Sequence, residues 1–268
     1  MYPKLIDFGR LTLFGQTFQP ILHTYGFLLA AGFLIALRLA ATRAKKIGVE
    51  TRMTMDLGLY ILVAALVGAK LLLLIVDWSH YRHDPWSLLR SGGIFYGGLV
   101  AAILTALWYL RKHRLPPWKM GDILAPSIAL GHGIGRLGCF AAGCCYGKPT
   151  TSLLGVTFTN DYAHQVVGVP LGIALHPTQL YEAGAEFAIA AFLMWLSTRK
   201  RFDGQIFWTY VALYSVTRFI IEIFRGDLGR GSVLSGALST SQFIALIMFG
   251  VSILALFFLR KRPRAKLA

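Results

Sequence analysis

Residues 131–148 read GHGIGRLGCFAAGCCYGK and close an apolar block that begins near residue 120. The stretch is rich in glycine, contains one arginine and holds all three cysteines of the 268-residue chain. Apolar blocks of about twenty residues, the length of a helix that crosses a bilayer, recur along the rest of the chain. Charged residues make up 15% of the chain, against about 25% in soluble domains. The sequence therefore predicts an all-α integral membrane protein that crosses the bilayer several times.

Seven membrane-spanning helices are predicted, at 19–41, 54–77, 93–110, 120–142, 177–197, 204–224 and 237–259. We expect them to form a single polytopic membrane domain over residues 1–268. The first span is too long for the apolar part of a signal peptide and lacks a basic segment before it, so it is expected to be retained. The 143–176 loop is expected to form a small cap on the outer side. Residues 153–161, LLGVTFTND, favour a short strand within that cap.

The distribution of basic residues predicts the orientation of these spans. Sixteen of the 27 basic residues lie after the first, third and fifth spans and in the C-terminal tail. They are Arg43, Lys45, Lys46, Arg52, Arg111, Lys112, Arg114, Lys119, Arg199, Lys200, Arg201, Arg260, Lys261, Arg262, Arg264 and Lys266. Seven lie on the opposite side: Lys4, Arg10, Arg82, Arg90, Lys148, Arg225 and Arg230. The positive-inside rule then puts the N-terminus outside and the C-terminus in the cytoplasm. The net charge of +15 follows from this topology and from attraction to anionic lipid, so no nucleic-acid partner is expected.

Four basic residues fall inside the predicted spans: Arg38, Lys70, Arg136 and Arg218. Arg38 is close enough to the cytoplasmic end of the first span to extend its charge to the interface, which leaves the other three. A charge at mid-bilayer costs roughly 2.5–3.5 kcal/mol, so such side chains face a bundle interior or a wet cavity. In the predicted orientation all three lie in the outer half of the membrane. Arg218, Glu222 and Arg225 are spaced for one face of one helix, which predicts an additional cation in the same layer.

The predicted layer contains more cations than carboxylates, counting Glu182 and Glu222 as its acidic members. This excess favours a phosphate ligand, because arginine binds phosphate through a planar fork of donors. Glycines in GHGIGRLG and SGGIFYGG would let helices and a headgroup approach closely. The predicted ligand is an anionic lipid headgroup that enters sideways from the outer leaflet. The alternative for Arg218 and Glu222 is a purely structural ion pair.

Five ordered blocks resemble one known family. GRLGCFAAGCCYG is similar to the signature GR-x-G-N-F-x-N-G-E-x-x-G of bacterial prolipoprotein diacylglyceryl transferases. TYGFLLA, SGGIFYGG, HPTQLYE and RFIIEIFRGD resemble further blocks of that family, in the same order, over roughly residues 20–230. On this resemblance the chain is identified as a divergent member of the family.

The resemblance implies a reaction and its partners. Family members move the diacylglyceryl group of phosphatidylglycerol to the lipobox cysteine in the signal peptide of a pre-prolipoprotein, forming a thioether and releasing glycerol phosphate. Arg136, Arg218, Glu222, Tyr25 and Gly147 match family positions. The resemblance implies no cofactor, and it places the chain in the bacterial inner membrane with its site facing the periplasmic half. We expect the enzyme to be a monomer among membrane lipids.

The chain departs from the family pattern near the reacting thiol. The third-span histidine of the family is Tyr96, and the signature asparagines and glutamate are Cys139, Ala142 and Cys144. His132 lies one helical turn before Arg136 and is a candidate base in place of the missing histidine; Tyr96 is another. The residues expected in catalysis are Arg136, Arg218, Glu222, Tyr25, His132 and Tyr96. Those expected to bind substrate are Arg136, Gly97, Gly98, Cys139, Gly147, Lys70, Arg225 and His176.

Two alternatives to the transferase remain open at this point. One is a phospholipid-binding enzyme on the same scaffold whose own cysteines take part in different chemistry, since thiols beside cations ionise more easily. The other is a lipid binder or transporter without enzymatic activity. A transporter needs a polar path through the cytoplasmic half of the membrane, and that half is apolar apart from Asp122 and Arg38.

The cysteines and two further residues also have structural interpretations. Cys139, Cys144 and Cys145 show no metal-ligand spacing, and no metal is expected; they could pack as small apolar residues, or Cys139 and Cys144 could form a disulfide. His176 precedes Pro177 at a predicted helix start, which favours a role as a helix cap or as an interface residue. Asp122 lies near the start of the fourth span, where a carboxylate stabilises the helix dipole.

Overall fold

The computed structural model describes residues 2–13, 16–227, 231–233 and 236–261. Four residues of the charge count, Arg230, Arg262, Arg264 and Lys266, lie outside the described residues. The long helices are α1 (Thr24–Lys45), α2 (Thr51–Val76), α5 (Phe95–Lys112), α6 (Pro117–Ala142), α8 (Thr178–Ser197), α9 (Gln205–Phe224) and α10 (Thr240–Leu259). The short helices are α3 (Trp78–Tyr81), α4 (Pro85–Arg90) and α7 (Asp161–Val167).

Six of these helices, α1, α2, α6, α8, α9 and α10, are long and apolar enough to cross a membrane. This confirms a mostly helical membrane protein. The helix α5 corresponds to the predicted third span, but its 18 residues end in Arg111 and Lys112, which shortens its apolar length. Each helix lies within a few residues of its predicted span. The largest difference is at α1, which begins at Thr24 because residues before it form a strand.

Within the described residues, eight short strands form four antiparallel pairs. Before α1, β1 (Lys4–Asp7) pairs with β4 (Ile21–His23), and β2 (Leu11–Leu13) pairs with β3 (Gln16–Phe18). These N-terminal pairs were not predicted. After α9, β7 (Ser232–Val233) pairs with β8 (Leu238–Ser239). In the 143–176 segment, β5 (Val156–Thr157) pairs with β6 (Ala174–Leu175), which confirms the strand expected near residues 153–161.

The described residues divide into two compact units. The first contains the chain up to Ala36 and from Gly121 onward, and the second runs Leu37–Met120. In the first unit, buried residues of α6, α8 and α9 form one apolar core: Ala125, Ala129, Ile189, Ala190, Leu193, Ile206 and Tyr210. A smaller core lies within the 143–176 segment and consists of Phe158, Ala163, Val169 and Leu175. Small residues on α6 and α8 therefore bring three helices close together just where α6 and α8 also carry polar side chains.

Glycines of the opening sequence stretch permit close helix contacts within the first unit. A Cβ atom on Gly131 would lie 3.0 Å from the Cβ of Ala36 and 3.2 Å from the carbonyl oxygen of Gly32. On Gly133, it would lie 2.6 Å from the ring of Phe187. The predicted role of these glycines in helix approach is therefore confirmed, since any side chain there would separate α6 from its neighbours.

Asp122 stabilises a different helix from the one predicted. It lies in the second turn of α6, 3% exposed, and accepts the backbone N–H groups of Gly204 at 2.7 Å and Phe207 at 2.9 Å. It also pairs with Lys200 at 2.9 Å. The expectation that it serves the dipole of its own helix was wrong, because α6 begins earlier, at Pro117, and the carboxylate reaches across to the N-terminus of α9.

The second unit is built around α2 and α5. A Cβ atom on Gly68 would lie 2.5 Å from the carbonyl oxygen of Gly97, and one on Gly98 would lie 2.8 Å from that of Ala65. The backbones of α2 and α5 are therefore in direct contact at these glycines. Lys70 on α2 donates to carbonyl oxygens at the end of α4, including Leu88 at 2.6 Å and Gly92 at 3.2 Å.

Candidate functional site

Two arginines from different helices converge on one buried carboxylate. Nη2 of Arg136, on α6, lies 2.8 Å from Oε1 of Glu182, on α8. Nη1 of Arg218, on α9, lies 3.8 Å from Oε2 of the same residue. Glu182 is 1% exposed, so its charge is tolerated because the two guanidinium groups compensate it. Three oppositely charged groups from three helices are thus held close together and largely away from water.

A second pair of contacts extends from Arg218 along α9 and toward α10. Its Nη2 lies 2.8 Å from Oε2 of Glu222, one helical turn further on, and contacts the hydroxyl of Ser241 at 3.3 Å. Nη1 of Arg218 is buried and has no hydrogen-bond partner among the described residues. A buried donor without an acceptor is unfavourable by about 1–3 kcal/mol, so this nitrogen is a natural contact for an incoming anion.

His132 joins the cluster from the turn before Arg136. The Nε of Arg136 donates to Nε2 of His132 at 3.2 Å, which confirms that the two side chains share one face of α6. The other ring nitrogen, Nδ1, lies 2.9 Å from Oε1 of Glu186, which is 1% exposed. The ring of Tyr214 packs beside the imidazole, with ring centroids 5.5 Å apart. The imidazole is therefore fixed between a carboxylate and a guanidinium.

The cluster contains only some of the residues of the layer predicted from the sequence. Its carboxylates are Glu182, Glu186 and Glu222, while its guanidinium groups are those of Arg136 and Arg218. With His132 neutral, the carboxylates outnumber the cations by one. The layer predicted from the sequence did not include Glu186, and it counted two cations that have other partners, Lys70 and Arg225.

Arg225 lies beyond the helix that carries Arg218. The helix α9 ends at Phe224, and Arg225 adopts an extended conformation. Its Nε and Nη2 bind both oxygens of Asp227, at 2.8 and 2.7 Å. The spacing that predicted one continuous helical face was therefore wrong at its last member. Burial opposes the charge of this guanidinium, but Asp227 and the Cys145 sulfur outweigh that effect and raise the pKa of Arg225.

Gly147 lies where three backbone segments meet. Its N–H donates to the carbonyl of His176 at 2.9 Å, and it forms a bridge with Arg225. A Cβ atom there would lie 2.6 Å from both Cβ and the carbonyl oxygen of His176 and 2.7 Å from the carbonyl oxygen of Phe224. Only glycine fits this position, which explains why the segment after the cysteines can lie against the ends of α8 and α9.

The three cysteines are free thiols, so the disulfide considered for Cys139 and Cys144 is not formed. Their sulfur atoms all lie within 4.8 Å of one another. Hydrogen bonds from the thiols of Cys139 and Cys144, with the charge of Arg225 acting in the same direction, lower the pKa of Cys145. The same interaction with Cys139 raises the pKa of Cys144. Cys145 is therefore the thiol of the group that ionises first.

Two further predicted residues lie in the first unit. Tyr25 is 40% exposed, and its backbone packs against α6 at Gly138, where an added Cβ atom would lie 3.3 Å from the Tyr25 carbonyl oxygen. His176 precedes the N-cap residue Pro177 of α8. Its Nδ1 lies 3.2 Å from the hydroxyl of Tyr181, and its ring packs on Phe224. His176 is thus an interface residue where the backbone segments meet around Gly147, and it is not a helix cap.

Comparison with known proteins decides the family. A family profile described as prolipoprotein diacylglyceryl transferase matches residues 15–258, which is most of the chain. The chain belongs to the prolipoprotein diacylglyceryl transferase family. It is 38% identical to the phosphatidylglycerol–prolipoprotein diacylglyceryl transferase of Clostridium tetani over 255 residues, covering 94% of this chain and 96% of that relative.

Other relatives carry the same description. The match to the phosphatidylglycerol–prolipoprotein diacylglyceryl transferase of Finegoldia magna is 35% identical and covers 85% of this chain and 88% of the relative. A Clostridium perfringens protein with that description, numbered 2, is 32% identical and covers 87% and 90%. The resemblance read from the five sequence blocks is thereby confirmed, and the chain is a membrane-bound transferase.

The remaining predicted residues of this transferase, Tyr96, Gly97, Gly98 and Lys70, lie in the second unit. Gly97 and Gly98 pack against α2, and the ammonium group of Lys70 is occupied by the α4 carbonyl groups described above. Tyr96 is 48% exposed at the start of α5. Their contacts with substrate stay predictions.

Sequence reasoning missed Glu186 and underestimated Glu182. Both lie on α8, four residues apart, and therefore on the same face. The signal was present in HPTQLYEAGAE, where two glutamates stand one turn apart in an apolar block. An intramembrane carboxylate is a functional candidate for the same reason as an intramembrane arginine.

Proposed function

We propose that this chain transfers the diacylglyceryl group of phosphatidylglycerol to the lipobox cysteine thiol of pre-prolipoproteins, with release of glycerol phosphate. The names of its relatives support the donor and the acceptor class. The convergence of Arg136 and Arg218 on Glu182 is the observation from which we assign phosphate binding to these two arginines. Two forked cations directed at one point suit a phosphate group.

The phosphate is proposed to replace Glu182 as the shared partner of the two guanidinium groups. In the reaction the thiolate attacks the glyceryl carbon that bears the phosphate ester. A carbon–sulfur bond forms, the carbon–oxygen bond breaks, and the bonding electrons leave with the phosphate oxygen. Arg136 and Arg218 then face an additional negative charge. Donors positioned in advance for charge that develops in the transition state typically contribute 10²–10³-fold each to the rate, or about 2.7–4 kcal/mol.

His132 is proposed to accept the proton of the lipobox thiol. With Nδ1 beside Glu186 at 2.9 Å, the proton of the neutral ring is favoured on Nδ1, which leaves the Nε2 lone pair as the basic site. That lone pair is held by the Nε–H group of Arg136 until the guanidinium engages the phosphate. Because the carboxylates outnumber the cations by one, an imidazolium formed on His132 balances the charge of the cluster.

The proposal also includes the arrangement in the membrane. We place α5 as a seventh span beside the six apolar helices, with the N-terminus outside, the C-terminus in the cytoplasm, and the enzyme a monomer in the bacterial inner membrane. The basic residues after the first, third and fifth spans support this orientation. The site then opens to the periplasmic half, where the signal peptides of exported pre-prolipoproteins arrive.

Rescue of a bacterial strain depleted of its own diacylglyceryl transferase tests the function. We expect the wild-type chain to restore growth and lipoprotein modification, and Arg136→Ala and Arg218→Ala to fail although both proteins accumulate in the membrane. Arg10→Ala, at an exposed position outside the cluster, is the matched control and should rescue fully. Substantial lipoprotein modification by either arginine variant would refute phosphate binding by Arg136 and Arg218. Failure of the wild-type chain to restore growth and lipoprotein modification would refute the proposed activity.

The base assignment has its own test. His132→Gln keeps an acceptor for Arg136 but removes a basic nitrogen, so transfer by the purified variant should be nearly abolished. A wild-type rate in this variant would exclude His132 as the base and favour Tyr96, the other candidate.

A further inference from the structure

The three thiols form a compact group whose purpose the transfer reaction does not require. They are the only cysteines in the chain, each is partly buried and free, and their sulfur atoms lie within 4.8 Å of one another. A metal–thiolate bond of about 2.3 Å places the three sulfurs of a trigonal site about 4 Å apart. The observed spacing is thus close to that of a trigonal thiolate site without movement of the backbone.

The backbone that presents these sulfurs is held in place from two sides. Cys139 lies in the last turn of α6, and the chain then turns back through Gly143, at φ +82°. The fully buried side chains of Gln179 and Thr178 donate to the carbonyl groups of Cys144 and Cys145, both at 2.7 Å.

Cys145 itself occupies a conformation that side chains rarely adopt. Its φ is +63°, in the left-handed region that is uncommon for residues other than glycine. In this conformation the Cys145 sulfur lies within 4.8 Å of those of Cys139 and Cys144.

We propose that Cys139, Cys144 and Cys145 bind one soft, thiophilic metal ion of the class of Cu⁺ or Cd²⁺. Soft thiolate ligands select such ions over Mg²⁺ or Ca²⁺. Three thiolates around a monovalent or divalent ion leave a net negative charge on the site. The guanidinium groups of Arg136 and Arg225 lower the cost of that charge, since both act favourably on a negative Cys145 sulfur although each also has a carboxylate partner. The inference is independent of the transferase proposal, because it concerns binding by these thiols and not turnover.

Titration of the purified, reduced full-length chain with Cd²⁺ tests the site. The readout is the ultraviolet charge-transfer absorption of cadmium thiolates, which only these cysteines can produce. We expect one Cd²⁺ per chain, no displacement by excess Mg²⁺, and at least a tenfold loss of affinity in each of Cys139→Ser, Cys144→Ser and Cys145→Ser. Thermal unfolding of each variant, with the corresponding alanine variant beside it, checks that the fold is kept.

Two results would overturn the assignment. One is the absence of the absorption band in the folded wild-type chain. The other is a band of equal intensity and affinity after one of the three serine substitutions, which would mean that the ion uses only two of the thiols.

Discussion

Replacement of Glu186 by glutamine tests whether the imidazole of His132 is held ready for proton transfer. The carboxylate lies 2.9 Å from Nδ1 and is buried. The amide can turn its NH₂ group toward Nδ1, which favours the tautomer with the proton on Nε2. That proton would then meet the Nε–H group of Arg136, which now lies 3.2 Å from Nε2. Two donors would face each other, and the basic lone pair would point at the wrong residue.

The magnitude follows from the contact that is lost. A hydrogen bond to a charged group contributes about 1.5–3 kcal/mol, and about 1.4 kcal/mol corresponds to a tenfold change in rate. We therefore expect Glu186→Gln to lower kcat by about 10- to 150-fold. The KM for phosphatidylglycerol should change little, because Glu186 contacts the histidine and not the two phosphate-binding guanidinium groups.

The assay is transfer from phosphatidylglycerol to a synthetic lipobox peptide by the purified enzyme, with kcat and KM measured separately. Glu50→Gln, the same substitution at an exposed residue, is the matched control and should retain full activity. A kcat within threefold of wild type in a folded Glu186→Gln protein would refute the role of the His132–Glu186 contact.

Two further predictions concern stability in detergent. Asp122→Asn removes the charge that binds Lys200 and the start of α9, so we expect the free energy of unfolding to fall by about 2–3 kcal/mol and the Tm by about 5–10 °C. The control Asp56→Asn, in an exposed ion pair, should change the Tm by no more than about 1–2 °C, and equal Tm shifts in the two variants would contradict the proposed link between α6 and α9. Gly147→Ala should lower both Tm and activity, because the added Cβ atom would overlap the backbone carbonyl oxygens of His176 and Phe224. The control Gly184→Ala, in a helix with open space around it, should raise the Tm slightly, and an unchanged Tm in Gly147→Ala would refute the close backbone contact at Gly147.

The sequence predicts local features of this protein well. Apolar block length placed each long helix to within about five residues, and the four-residue spacing of His132 and Arg136 predicted their contact. The same spacing predicted the Arg218–Glu222 pair. These features depend on residues in one helix, where the geometry is known in advance.

Features that join distant parts of the chain were harder to predict. The carboxylate of Asp122 reaches a helix that begins more than eighty residues later. The carbonyl groups around Lys70 lie in and just after a short helix, in a segment between two predicted spans. Glu186 was not predicted as a site residue, because the sequence does not show which of the two glutamates in this apolar block faces the site. The alignment of three sulfurs depends on the left-handed backbone of Cys145, which no spacing rule anticipates.

The central claim is that Arg136 and Arg218 together bind the phosphate of phosphatidylglycerol. An experimental structure of the enzyme with phosphatidylglycerol bound tests it most directly. We expect phosphate oxygens at about 3 Å from the guanidinium groups of both arginines, with the Glu182 carboxylate displaced from at least one of the two guanidinium groups. A phosphate that contacts neither arginine, with the Glu182 ion pairs intact, would contradict it.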